Sequence, residues 1–265
     1  MIKINKLSLK NLQESYDHPS VALYRAIELR QIYEGCKKLN LKQPSLDIGS
    51  GDGKITSILF NEKLTYGVDN GEANDYQVAI DKKRYKKVLL ESAEKMSIKD
   101  KSVNFVFSNS VLEHIPEIDS VFEEVSRVLK PTGYFIFTSP SKYFRKYISL
   151  NNKFNQIGLG IINRIYSKLR NKQLNHFNLY DHKYYSSHLK KYGLKVENYS
   201  YSIDKNTLEL WEKMAIMSKV RNVLGKNNNK LTKSFKKRIE NCYENNRINK
   251  TEGANLLIVA KRVNE

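Results

Sequence analysis

Residues 46–54 read LDIGSGDGK, a short apolar run followed by glycines at alternate positions, Gly49, Gly51 and Gly53. An apolar run before a glycine-rich turn predicts a buried strand, and KITSILF (54–60) after the turn predicts a helix. Units of a strand, a tight turn and a helix bind ligands at the turn. The stretch therefore predicts both the start of an α/β sheet and a binding site.

The charges of this turn limit the kind of ligand it can hold. It carries Asp47 and Asp52, and its spacing is G-x-G-x-G rather than the G-x-G-x-x-G of dinucleotide-binding proteins. Two carboxylates would repel a pyrophosphate, and Lys54 is followed by Ile55 instead of the Ser or Thr of a P-loop. Asp69 closes the next predicted strand, where a carboxylate can bind both ribose hydroxyls of an adenosine. The pattern favours a nucleoside whose other end is positively charged.

Strands and helices alternate along most of the chain. The predicted strands are SLDIG (45–49), LTYGVD (64–69), KKVLLES (86–92), VNFVFSNS (103–110), YFIFTSP (134–140), a strand after Gly193 and ANLLIVAKRV (254–263). The predicted helices are 16–39, 54–60, DSVFEEVSRVLK (119–130), 141–175, one before Gly193, and most of 204–250. This order predicts an α/β fold with a doubly wound, mostly parallel sheet of about seven strands, and helical insertions after the fifth strand and before the last.

Four motifs in this order resemble one protein family. LDIGSGDGK is similar to the first motif of the class I S-adenosylmethionine-dependent methyltransferases of the type 11 group, and YGVDN (66–70) is similar to their acidic second motif. The stretches 91–115 and 123–140 resemble the sequences around their third to fifth strands, and 176–200 resembles a later helix and strand. The resemblance implies a Rossmann-like fold, S-adenosylmethionine as cofactor, and transfer of its methyl group to an acceptor.

The resemblance and the carboxylates of the turn together imply where the cofactor binds. The methionine end is expected at the glycine turn, the ribose at Asp69, the adenine beside 92–94, and the methyl group near 109–111. The predicted cofactor-binding residues are Asp47, Gly49, Ser50, Gly51, Gly53, Asp69, Asn70, Ser92, Ala93, Glu94, Asn109, Ser110 and Val111. Ser92 stands where the family usually has an aspartate that reaches the adenine amine, so that contact is expected to be weaker.

The acceptor side is less defined by the sequence. Methyl transfer is an in-line displacement, so positioning supplies much of the catalysis, and a base is needed only if the acceptor must lose a proton. His114 is the candidate catalytic base because imidazole titrates near neutrality. The alternative is a loop histidine that only lines the pocket. The residues predicted to contact the acceptor are Tyr16, His18, His176 and His182.

No metal site is predicted. His176, His182 and His188 follow one another at steps of six residues, and such steps do not share a helix face.

We divide the chain into an N-terminal helical lid (1–45) and a Rossmann-like methyltransferase domain (46–265). Insertions at about 141–175 and 204–250 are predicted to form a basic helical cap. Within 141–175 the apolar residues fall on one predicted helical face with Lys and Arg at its edge, so this helix can either pack over the acceptor site or lie in a membrane interface.

Positive charge is concentrated in the C-terminal half. Residues 1–140 contain 20 Lys and Arg against 19 Asp and Glu, whereas residues 141–265 contain 26 against 9. Such a patch suits an anionic partner, although charge that merely keeps the protein dissolved is the alternative. We predict methyl transfer to an O or N atom of a small, anionic acceptor such as a glycan precursor, a nucleotide-sugar or a lipid-linked intermediate.

Two other functions remain open. An RNA methyltransferase would use the basic half, but the fourth predicted strand ends in SNSV rather than in the (D/N)PP(Y/F) of base N-methylating enzymes. A non-catalytic peripheral-membrane or adaptor protein would keep the fold without turnover. The two cysteines, Cys36 and Cys242, fit neither a disulfide framework nor a zinc site, and no secretory signal or apolar run of about 18 residues occurs. A cytoplasmic location is predicted, with contact to the inner membrane face through 141–175 as an alternative.

Overall fold

The computed structural model describes residues 1–148, 176–223 and 229–263. Its strands are β1 (Ser45–Ile48), β2 (Tyr66–Asp69), β3 (Lys87–Leu90), β4 (Val103–Asn109), β5 (Leu129–Pro140), β6 (Leu194–Ser202) and β7 (Asn255–Arg262). They form one sheet in the order β3-β2-β1-β4-β5-β7-β6. Strands β1 to β5 are parallel, and β7 runs antiparallel to both of its neighbours. The predicted mostly parallel sheet of about seven strands is confirmed.

The strand order reverses between β1 and β4. Asp47 of β1 is paired with Gly67 of β2 on one side and with Phe107 of β4 on the other. Ligands of doubly wound sheets bind outside the carboxyl ends of the strands at such a reversal. The glycine turn follows β1 and Asn109 ends β4, so both lie at this position.

Helices cover both faces of the sheet. They are α1 (Leu9–Ser15), α2 (Pro19–Cys36), α3 (Lys54–Leu59), α4 (Tyr76–Asp81), α5 (Ile118–Val128), α6 (Lys142–Tyr147), α7 (His182–Lys191), α8 (Lys205–Val223) and α9 (Asn229–Asn245). A 3₁₀ turn, Leu112–His114, follows β4. Among the described residues, no helix combines the length and apolarity needed to cross a bilayer.

Alternate residues of the strands supply two apolar layers, because successive side chains of a strand point to opposite faces. On one face, Phe105 and Phe107 belong to a buried cluster that includes residues of α2, α8 and α9. On the other face, Val106 and Phe135 belong to a cluster that includes residues of α5 and α7. Helix α5 repeats apolar residues at the spacing of a single buried stripe.

Helix α2 packs deeply onto the sheet. Ala22, Leu23, Ala26 and Ile27 have no exposed surface, and they share their cluster with Met214 of α8. The N-terminal segment predicted as a lid therefore contributes to the core of the sheet domain. Its movement as a lid stays a prediction.

Some boundaries differ from the sequence-based expectations. The helix predicted over 16–39 begins at Pro19, which suits the first helical position, and a separate α1, capped by Ser8, precedes it. Helix α5 ends at Val128 instead of 130, and β5 begins at once because Leu129 pairs with Val103 of β4.

Two predicted segments lie partly outside the described residues. Of 141–175, only the part up to 148 is described, and it holds the short helix α6. Within the predicted helical stretch 204–250, residues 224–228 lie outside as well.

Candidate functional site

The turn between β1 and α3 places three residues in the left-handed region of backbone conformation. Gly49, Gly51 and Gly53 have φ angles of +68°, +45° and +69°, which glycine adopts without steric cost. The amides of Gly49 and Ser50 donate to the carbonyl oxygen of Val68 at 2.8 and 3.0 Å. The turn is thereby held against the end of β2, next to Asp69.

Asp69 connects the two loops that border the site. Its Oδ2 atom accepts a hydrogen bond from the amide of Gly51 at 2.8 Å, and its Oδ1 atom accepts one from the amide of Gly71 at 2.9 Å. A carboxylate accepts about four hydrogen bonds in total, so lone pairs remain for a ligand. These two hydrogen bonds hold the carboxylate that is predicted to bind the ribose in one orientation.

A cleft of about 800 Å³ opens beside Asp69 and the turn. The predicted cofactor residues that line it are Gly49, Gly51, Asp69, Asn70, Ser92, Ala93, Glu94, Ser110 and Val111. Its carboxylates are Asp69, Glu72, Asp75, Glu91 and Glu94, and no Lys or Arg of the described chain is among its lining residues. Burial and the nearby Asp69 raise the pKa of Asp75. Such a cleft attracts a cation and repels a phosphate.

A smaller cavity of about 210 Å³ lies under the turn and combines both signs of charge. Its lining residues include Asp47, Asp52, Arg25 and Lys54. Groups of both signs suit the ammonium and the carboxylate of an amino acid.

Within this cavity, Asp47 is almost completely buried. It accepts hydrogen bonds from the hydroxyls of Thr56 and Tyr85, the latter at 2.5 Å. Burial raises its pKa to about 7 even though these hydrogen bonds act in the opposite direction. Ser50 Oγ is buried and has no hydrogen-bond partner in the described chain, so a ligand in this cavity would satisfy it. Any side chain at Gly53 would clash with Tyr85, because a Cβ atom there would lie 2.7 Å from the tyrosine ring.

Arg25 of α2 is a site residue that the sequence did not reveal. Its guanidinium forms a salt bridge with the buried Glu28 and donates to Asn109 Oδ1 and Ser110 Oγ, both at 3.1 Å. Glu28 also accepts hydrogen bonds from Ser110 and Thr138, at 2.9 and 2.8 Å. This network joins α2 to the ends of β4 and β5. It fixes two of the residues predicted to lie near the methyl group.

A third cavity, of about 320 Å³, lies on the other side of Ser110. Tyr24, Phe144 and Trp211 form much of its wall, with ring centroids 6.0 Å apart for Tyr24 and Trp211 and 5.9 Å apart for Phe144 and Trp211. Ser110 and His114 line both this aromatic pocket and the cleft of Asp69. The two spaces therefore adjoin at these two residues.

Glu113, His114 and His176 lie together in the aromatic pocket. One ligand atom of each lies within 4.8 Å of the others. Burial raises the pKa of Glu113 to about 8. His176 lines the pocket, and its predicted contact with an acceptor stays a prediction.

Other predicted acceptor residues lie elsewhere. His182 begins α7, stacks on Tyr199 at a ring separation of 4.0 Å, and approaches the hydroxyl of Tyr201 at 3.0 Å. His18 is the residue before α2, and the ring of Tyr16 lies 4.3 Å from the ammonium of Lys54. Within the described chain, these three residues do not line the cavities above.

Comparison with known proteins identifies the core of the chain. A family model described as a methyltransferase domain (Methyltransf_11) matches residues 46–137. The malonyl-[acyl-carrier protein] O-methyltransferase of Marinomonas sp. is 27% identical over 137 residues, which are 49% of this chain and 48% of that protein. The chain spans about half or less of the length of the curated relatives it matches.

Solved structures share the fold over most of the chain. A Thermotoga maritima protein described as an S-adenosylmethionine-dependent methyltransferase, possible histamine N-methyltransferase, aligns with a TM-score of 0.57 at 20% identity and covers 96% of both chains. A phosphoethanolamine N-methyltransferase of Haemonchus contortus, crystallised with S-adenosylhomocysteine, aligns with a TM-score of 0.54 at 16% identity, over 97% of this chain and 61% of that one. At these identities the likeness establishes the fold. Residues 46–137 therefore match the methyltransferase domain family Methyltransf_11, within a chain that shares the fold of S-adenosylmethionine-dependent methyltransferases.

Proposed function

We propose that this protein transfers the methyl group of S-adenosylmethionine to an oxygen or nitrogen atom of a small acceptor bound in the aromatic pocket. The observation that carries the proposal is the junction of two spaces at Ser110 and His114, one an acidic cleft and the other a pocket with aromatic walls. A methyl group passes between two bound molecules only if their reacting atoms meet in line, and adjoining cavities permit that arrangement.

The charge of the cleft supports the cofactor assignment. S-adenosylmethionine carries a positive sulfonium, and its ammonium would add a second positive charge near the turn. The carboxylates that line the cleft favour this ligand over a dinucleotide, whose pyrophosphate they would repel. We assign the ribose hydroxyls to Asp69 and the adenine to the stretch 92–94.

We assign the methionine end to the cavity under the turn. Asp47 and Asp52 line this cavity as partners for the ammonium, and Arg25 and Lys54 line it as partners for the carboxylate. Ser50, whose hydroxyl lacks a partner in the described chain, would donate to the carboxylate or accept from the ammonium. Arg25 is already held by Glu28, so it meets the ligand without a loss of side-chain freedom.

The acceptor pocket favours a molecule with a flat or apolar part. Its aromatic rings provide contact area, and its polar groups, Glu113, His114 and His176, cluster in one region of the lining. The positive charge of Arg25 is compensated by Glu28, so the lining supports an anionic acceptor less than the sequence predicted. The name of the matched O-methyltransferase supports an oxygen atom as the acceptor. His114 borders both spaces, where a base would have to act.

The test is calorimetric titration of the protein with S-adenosylhomocysteine, with NAD as the comparison ligand. We expect micromolar binding of S-adenosylhomocysteine and none of NAD. Asp69→Ala should weaken binding at least tenfold, because it removes a charged hydrogen-bond acceptor from the ligand. Asp81→Ala is the matched control, since Asp81 ends α4 outside the cleft lining. A folded protein without affinity for S-adenosylhomocysteine, or equal losses in both variants, would contradict the proposal.

A further inference from the structure

The polar region of the acceptor pocket has the composition of a metal site. Glu113, His114 and His176 each contribute one ligand atom to a group no wider than 4.8 Å. Nε2 of His114 lies 3.9 Å from Oε1 of Glu113, and the two imidazole rings are 5.3 Å apart between their centroids. From the sequence alone, His176 was considered together with His182 and His188 rather than with Glu113 and His114.

Glu113 is the least expected member of this group. Its side chain is only 2% exposed, and its Oε2 atom is buried with no hydrogen-bond partner in the described chain. Buried polar atoms are nearly always paired, and a carboxylate oxygen pairs with a donor or with a cation. The atom belongs to a residue that lines the pocket, so the missing partner has space to bind there.

The three ligand residues are held in place before any ligand binds. Glu113 and His114 share the 3₁₀ turn after β4, and the stretch that carries His176 is tied to this turn. The amides of Phe177 and Asn178 donate to the carbonyl oxygen of Glu113 at 2.7 and 3.3 Å. The side-chain amide of Asn178 donates to the carbonyl oxygens on both sides, Leu112 at 2.9 Å and Ile115 at 2.6 Å. A metal site needs such support for its ligands.

We propose that Glu113, His114 and His176 bind a divalent transition-metal ion, with Zn²⁺ as the best-fitting example. Two imidazoles and one carboxylate suit Zn²⁺ and similar ions, whereas Mg²⁺ and Ca²⁺ prefer oxygen ligands alone. Three protein ligands leave coordination positions open, as in catalytic zinc sites. Because all three residues line the pocket, an acceptor molecule can occupy an open position.

The metal site also narrows the class of acceptor. This step rests on the proposed function, whereas metal binding itself does not. An ion in this pocket would bind a hydroxyl or carboxylate oxygen of the acceptor and orient it toward the cleft that meets the pocket at Ser110 and His114. His114 would then act as a ligand rather than as the base that the sequence predicted.

The experiment is calorimetric titration of the untagged, chelator-treated and dialysed protein with ZnCl₂, with MgCl₂ in a parallel run. We expect one Zn²⁺ per chain with micromolar or tighter affinity and at least tenfold weaker binding of Mg²⁺. Glu113→Gln and His176→Gln should each weaken Zn²⁺ binding at least tenfold. His188→Gln is the matched control: His188 lies on α7 and approaches the carbonyl oxygen of Tyr184, outside this group. Thermal unfolding of every variant verifies that it is folded.

Two results would overturn the metal site: no stoichiometric Zn²⁺ binding by the folded protein, or an equal loss of affinity in His188→Gln and His176→Gln. Titration of the same preparation with S-adenosylhomocysteine separates the two proposals. Cofactor binding without Zn²⁺ binding contradicts only the metal site, and Zn²⁺ binding without cofactor binding contradicts only the proposed function.

Discussion

Gly49 shows how closely the glycine turn packs against the end of β4. A Cβ atom at this position would lie 2.3 Å from a methyl carbon of Val111, and the φ angle is +68°. Gly49→Ala would therefore add a steric clash to the cost of about 1–2 kcal/mol for a left-handed alanine. We expect a clear loss of stability and at least a tenfold loss of S-adenosylhomocysteine affinity, measured by thermal unfolding and calorimetry.

Gly193 is the control for the stability cost of the left-handed backbone conformation alone. Its φ angle is +69°, almost the same, but the nearest atom to a Cβ there is a methyl carbon of Val263 at 3.8 Å. Gly193→Ala should cost about 1 kcal/mol of stability and leave cofactor affinity unchanged. In a Val111→Ala background, Gly49→Ala should become milder. If the two alanine variants lost equal stability and affinity, close packing at Val111 would not be the reason for the glycine.

At the residue level, the sequence predicts a contact well when its partners are close along the chain. The glycine turn and Asp69 belong to one strand–helix–strand unit, whose geometry fixes their separation, and Asp69 does bind the turn. Arg25 could not be found this way, because its partners Asn109 and Ser110 follow more than 80 residues later. The proximity of His176 to Glu113 could not be found this way either, because only the folded chain brings the residues just before α7 to the turn after β4.

Helix α2 carries two acidic residues in similar ion pairs but in different environments. Glu28 pairs with Arg25 and is completely buried, whereas Glu34 pairs with Lys37 at 2.5 Å on the surface. Removing one partner of a buried pair leaves a charge without compensation, which costs about 3 kcal/mol or more. An exposed pair contributes less than about 1 kcal/mol because water screens it.

We therefore expect Glu28→Ala to destabilise the protein by about 3 kcal/mol and Glu34→Ala by less than about 1 kcal/mol. Urea unfolding followed by circular dichroism measures both free energies of unfolding. Glu28 also accepts hydrogen bonds from Ser110 and Thr138, so Glu28→Gln should be intermediate. Similar values for the two alanine variants would mean that the network does not attach α2 to the sheet.

At the level of elements, the alternation of apolar and glycine-rich segments predicts the sheet well. Central parallel strands are buried on both faces and are rich in apolar runs, as Phe105–Phe107 of β4 shows. The short helices α1 and α4 were missed because six or seven residues carry too little periodicity. The boundary between α5 and β5 was misplaced because the pairing of Leu129 with Val103 depends on β4, which is distant in sequence.

For the whole molecule, the position of β7 argues for a single cooperative unit. This last strand lies between β5 and β6, and the second insertion predicted to form the cap, 204–250, begins just after β6. Leu208 and Met214 of α8 share a buried cluster with residues of α2 and of the central strands. We expect a cap whose core residues pack with those of the sheet to unfold together with the sheet. The division of the chain into lid, domain and cap would then describe its function rather than its folding.

Trp211 makes this cooperativity measurable, because it is the only tryptophan of the chain and lies on α8. We expect its fluorescence and far-UV circular dichroism to report the same urea midpoint and the same slope. A Trp211→Phe, Tyr192→Trp protein would move the reporter to the opposite layer, since Tyr192 packs beside Phe122 of α5, and it should give coincident curves as well. A Trp211 signal that changes at lower urea would instead identify the α8 region as an independently unfolding cap. The acceptor pocket, whose wall contains Trp211, would then open without loss of the cofactor site.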